Sequence, residues 1–155
     1  MKFKEEEFIT WTNKLSCGIK LIDDQHKALV DLINEMFNHV TGNHPQERDY
    51  FNRAIKEIVN YVKTHFTTEE KILRATNYPD YAEHKKEHDS FIHAIIENSK
   101  DYNSGGRHTL STLIRFLRDW VLSHIAIMDK QYVEYMKKTA RLKEDGTLVI
   151  DVKGD

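Results

Sequence analysis

Glycine and proline divide this chain into four long intervals that contain neither residue, bounded by Gly18, Gly42 with Pro45, Pro79, Gly105 with Gly106, and Gly146. Intervals of that length without a breaker fit helices. Within them the apolar residues recur at steps of three and four, which keeps them on one helical face. The first stripe runs Ile22, His26, Leu29, Ile33, Met36, Val40, and the second runs Phe51, Ile55, Ile58, Val62, His65, Glu69, Ile72. The third is Tyr81, His84, His88, Phe91, Ile95, and the fourth is Leu110, Leu113, Leu117, Val121, His124, Met128, Tyr132. Pro45 suits the first turn of the second helix, Asp80 with Glu83 reads as a capping pair for the third, and Thr109 as the cap of the fourth. Short connections between long amphipathic helices make antiparallel neighbours. The expected fold is therefore all-α, an up-down-up-down four-helix bundle.

Two pieces fall outside the stripes. An N-terminal arm carries Phe8 and Trp11, and a C-terminal extension, RLKEDGTLVIDVKGD, has a turn signal at Asp145-Gly146 followed by a short extended segment, TLVIDV. The domain reading is one bundle with its arm over residues 1–138 and an extension of unassigned role over 139–155.

With 155 residues and 39% hydrophobic content, the chain is long enough for one real core and too short to expect two. A net charge of −2 with both signs interspersed gives no basic footprint for nucleic acid or an anionic membrane. No window approaches a membrane span, and the acidic start MKFKEEEF is not a secretory signal, so a cytoplasmic protein is expected. Cys17, the single cysteine, is read as a packed thiol.

Each apolar stripe is interrupted by metal-binding residue types. His26 interrupts the first, His65 and Glu69 the second, His84 and His88 the third, and His124 the fourth, with Asp129 five residues further on. A spacing of four rotates a side chain by only about 40°, so HxxxE and HxxxH each aim two groups at one point on the bundle axis. Five histidines and two carboxylates brought into one core cost several kcal/mol for every unpaired charge. A buried cation resolves that cost. His39, His44, His93 and His108 lie off the stripes and are read as solvated, as are Glu70, Lys85, Lys86 and Glu87.

Imidazole and carboxylate without thiolate suit iron, manganese or zinc, and two acids among five histidines suit a bridged pair of ions. If both ions are six-coordinate, the histidines, two bridging carboxylates and one shared oxygen leave a single coordination position free. The zinc-protease pattern HExxH is absent, and no histidine has a glutamate three residues before it, as the ferritin-like di-iron helices do. A haem would leave most of the seven groups unexplained. Because five residues turn an ideal helix by about 140°, a π-type widening between Ile125 and Met128 is predicted to bring Asp129 round to His124.

The leader FITWTNKLSCGIKLIDDQH and the blocks HFTTEE, YPDYAEHKKEH and WVLSHIAIMD resemble the hemerythrins, most closely the bacterial single-domain kind, over residues 8 to about 138. The resemblance implies two iron ions bridged by an oxo or hydroxo group and by Glu69 and Asp129. It implies that His84, His88 and His124 hold a saturated iron, and His26 and His65 the iron with the free position. Phe66, Trp120 and Val121 match positions that wall the ligand side, where Val121 is smaller than the aliphatic residue often found. The implied function is reversible dioxygen binding in storage, delivery or sensing, with small anions and nitric oxide as further ligands. The alternative is a di-iron peroxidase or nitric oxide reductase using the same site. No positioned acid or base beyond the ligands is evident, which favours a binding protein over an enzyme.

Overall fold

The computed structural model describes residues 8–149. Helix α1 spans Lys20–Asn38, α2 His44–Ala75, α3 Tyr81–Asn103 and α4 Leu110–Ser123. A π-helical turn over His124–Met128 carries α4 directly into α5, Asp129–Lys138, so that the last two form one long helix in the bundle. α1 packs on α2 and α4, and α3 packs on α2 and α4, which closes the expected four-helix bundle.

Local chemistry accounts for most of the boundaries. Asn43 accepts the Gln46 N–H with Pro45 in the first turn of α2, so the helix begins at His44. Thr109 and Thr112 cap α4 reciprocally. The predicted Asp80–Glu83 capping pair does not form, and Asp80 makes no side-chain cap bond. Its backbone is committed by the end of α2, where Asn77 adopts φ 54° and the Tyr78 N–H returns 3.0 Å to the Leu73 carbonyl. The chain then enters α3 through a tight turn instead of from extended backbone.

The N-terminal arm is pinned by Asn34, which accepts the Ile9 N–H and donates to the Ile9 carbonyl, both at 2.8 Å. Phe8 stacks on Phe37. Residues 1–7, most of the predicted acidic start, lie outside the described residues, as do Ile150, Asp151 and Val152 of the predicted extended segment. Over its described residues, 139–149, the extension folds into a turn that pairs Leu142 with Leu148, around Gly146 at φ 85°. Leu142 is buried in one apolar cluster with Cys17, Ile19, Tyr132 and Met136. A Cβ at Gly146 would meet the Gly18 carbonyl oxygen at 2.6 Å, and the Gly18 loop is itself held by Asp23, which accepts from the Ser16 hydroxyl and the Cys17 N–H.

The apolar core falls into two parts. One runs through Leu29, Ile33, Ile58, Phe66, Phe91 and Val121. The other gathers around Ile22, Leu73, Tyr132 and Leu142. On every helix the sequence-predicted metal residues stand between them: His26 between Ile22 and Leu29, Glu69 between Phe66 and Leu73, His88 before Phe91, and Asp129 between Ile125 and Tyr132. The bundle thus encloses one polar layer. Among the described residues no helix is long and apolar enough to cross a membrane.

Candidate metal centre

The seven side chains singled out from the stripes converge in that layer, all buried. They form two donor groups that share Glu69: Glu69, His84, His88 and His124 in one, and His26, His65, Glu69 and Asp129 in the other, with donor atoms in each within 4.8 Å of one another. The carboxylates lie between the groups. Glu69 Oε1 contacts His84 Nε2 and lies 3.1 Å from His88 Nε2, while Oε2 lies 3.5 Å from His65 Nε2. Asp129 Oδ1 lies 3.1 Å from His84 Nε2 and 3.2 Å from His124 Nε2, and its Oδ2 lies 3.1 Å from His26 Nε2.

Asp129 reaches this position because the π-turn absorbs the extra residue: its N–H bonds to the His124 carbonyl, five residues back. This is the predicted widening, extended by one residue to include His124. Three polar side chains missed by sequence reasoning complete the surroundings. His65 Nδ1 donates to Gln25 Oε1 at 2.5 Å, His88 Nδ1 donates to Glu70 Oε2 at 2.9 Å, and the Tyr132 hydroxyl donates to Glu69 Oε2 at 3.3 Å. Glu70 is therefore half-buried and bonded to a site histidine, where the sequence placed it on a solvated outer face. A polar residue immediately beside a predicted ligand was the available signal for both Gln25 and Glu70.

Of the off-stripe histidines, His39 and His93 are exposed, His39 stacking on Tyr50. His108 is half-buried and paired with Asp101, not simply solvated.

The electrostatics reflect a dense set of charges away from water. Burial opposes ionisation of Glu69, yet the neighbouring His124, His84 and His88 hold its carboxyl well below the usual range. Asp129 is also depressed: burial and the Glu69 charge oppose, and His124 and His26 outweigh them. Burial lowers His65 to about 4. It also opposes protonation of His84 and His124, but Asp129 and Glu69 push these up to about 9 and about 10.

Hydrogen bonding satisfies Glu69 but not the whole cluster. Both Asp129 oxygens and His124 Nε2 are buried without an aligned hydrogen-bond partner, although His124 Nε2 lies 3.2 Å from Asp129 Oδ1. Donors that approach one another closely and still do not pair are what a cation site requires, and the nitrogen and oxygen set fits iron.

Two of the three residues expected to wall the ligand side lie against site histidines. Phe66 stacks on His88 with ring centroids 3.8 Å apart, Trp120 stacks on His124 at 4.2 Å, and Val121 is fully buried one turn before His124. The two rings fix the planes of imidazoles in the first donor group.

Residues 17–136 match the family model of the hemerythrin HHE cation binding domain. The chain is 32% identical over 126 residues to a bacteriohemerythrin of Methylococcus capsulatus, covering 80% of this chain and 93% of that protein. It is 31% identical over 130 residues to a bacteriohemerythrin of Stenotrophomonas maltophilia, covering 83% and 82% respectively. A wild-type hemerythrin crystal structure superposes with TM-score 0.71 at 30% identity, covering 82% of this chain and 96% of that one.

Proposed function

The chain belongs to the hemerythrin family, and from that premise we propose that it binds dioxygen reversibly at a non-haem di-iron centre, serving oxygen storage, delivery or sensing. The observation that carries this reading is the pair of donor groups sharing Glu69, with Asp129 also set between them. His84, His88 and His124 would hold one iron and His26 and His65 the other, with Glu69 and Asp129 bridging beside an oxo or hydroxo group. Three histidines on one side and two on the other would leave the free position on the side of His26 and His65. When bound, the two ferrous ions supply the electrons that dioxygen accepts.

The chain's own residues supply geometry and dryness. Phe66, Trp120 and Val121 would keep water from the polar layer, the two rings from the side of His88 and His124, which would protect a reversible adduct from displacement. The five imidazoles and two carboxylates would be consumed as ligands, and among the described residues Glu70 and Tyr132, the further acids at the site, are engaged by His88 and Glu69. That favours binding over a peroxidase or nitric oxide reductase; small anions and nitric oxide would enter the same vacancy as ligands. The bundle with its arm, residues 1–138, is the functional unit, 139–155 is an extension of it, and the setting is cytoplasmic, with no role for nucleic acid or membrane.

Reversibility tests the reading. The reduced protein exposed to dioxygen should gain a charge-transfer absorption band that inert-gas sparging removes, over several cycles. Prompt conversion to ferric protein, together with rapid turnover of peroxide or nitric oxide, would replace the binding reading with the enzyme.

A further inference from the structure

Two site histidines are held from behind by groups of different charge, and we propose that Gln25 and Glu70 are positioning residues that make the two metal sites unequal. The inference rests on the two-iron reading above. Gln25, on α1 beside His26, reaches across to His65 on α2; Glu70, on α2 beside Glu69, reaches across to His88 on α3. Each bond places the proton on Nδ1 and so leaves the Nε2 lone pair facing the centre. The Nδ1 atoms of His26 and His124 are buried without any such partner. One histidine in each donor group is thereby latched to a neighbouring helix.

The latches differ in kind. A carboxylate behind an imidazole draws on its proton and increases donation from Nε2, which tightens the metal and favours its trivalent state. Lys85 lies 3.9 Å from Glu70 Oε1 but also pairs with Asp89 at 3.1 Å, so its charge is divided between two acids. The amide of Gln25 orients His65 without that push. The ion held by His84, His88 and His124 is therefore the tighter and the more easily oxidised, and the ion beside the vacancy stays divalent longer and leaves first.

The test compares the iron-loaded full chain with Glu70→Gln, Gln25→Glu and Glu70→Asp, reading metal content, the time course of iron loss to a chelator, and the two reduction midpoints. Wild type should hold two ions and release them in two phases. Glu70→Gln should accelerate the slow phase by about 10- to 100-fold and raise the lower midpoint. Gln25→Glu should slow the fast phase and lower the higher midpoint, while Glu70→Asp, which keeps the charge, should stay near wild type. A wild-type chain that holds one ion overturns the two-iron reading itself. Two ions with phases and midpoints unmoved by either swap, or Glu70→Asp and Glu70→Gln behaving alike, overturn this inference alone. Simultaneous loss of both ions from a variant whose helicity is intact contradicts it as well, because separate latches require separate losses.

Discussion

The Asp129 amide is hydrogen-bonded to the carbonyl of His124 five residues earlier, and this one π-type bond lets two groups on a single helix face the same metal layer. A regular helix would achieve nearly the same with a spacing of four, where the side chains differ by about 40°. A spacing of six would separate them by about 120°.

Deleting Ile127, which is 59% exposed, should therefore give a regular helix that still carries its aspartate to the site, with both irons retained. Inserting an alanine after Ile127 should swing Asp129 away and leave fewer than two irons per chain while far-UV circular dichroism stays helical. Elemental analysis of the pair decides. An insertion variant with both irons would show that the π-turn does not set the position of Asp129.

The extension closes one end of the bundle over Leu142, Cys17 and Tyr132. Gly146→Ala meets the Gly18 carbonyl in addition to the roughly 1–2 kcal/mol that an alanine loses in left-handed backbone. Gly42→Ala, at φ 75° with nothing within 4 Å, incurs only the backbone cost. Gly146→Ala should be the more destabilising in urea unfolding. Burial makes the Cys17 thiol unreactive by raising its pKa, and labelling of Cys17 should accelerate in Gly146→Ala but not in Gly42→Ala. Equal, slow labelling of both variants would mean that the extension does not cover this end.

The fold was legible because four stripes free of breakers admit little besides a bundle, and the metal residues were legible because they interrupt those stripes. Even the π-turn followed from a count, since the separation of His124 and Asp129 does not fit an α-helix. What stayed hidden depends on contacts between elements. Glu70 is one step, about 100°, from Glu69 and reads as outward-facing until α3 brings His88 within its reach. The Asp80–Glu83 pair has capping spacing, but the end of α2 dictates the backbone there. The docking of Leu142 has no periodicity to betray it.

The turn between α3 and α4 offers a pH test remote from the metals. The His108 backbone N–H and then its side chain hold the Asp101 carboxyl below its usual value, against a small opposing effect of burial. A depressed carboxyl contributes stability that is present above its unfolded pKa, about 4, and lost as pH falls through the lower folded value. Asp101→Asn should lower the melting temperature at neutral pH, and the difference from wild type should shrink below about pH 4. A constant difference across that range would mean that the charge of Asp101 contributes nothing.

Gas uptake by the reduced, iron-replete chain under anaerobic titration counts the open coordination positions. Two ions with one vacancy between them should take up one dioxygen for every two irons, with a sharp end point and two irons per chain. One dioxygen per iron, a single iron per chain, or no uptake by protein that holds both ferrous ions would contradict a shared site with one open position.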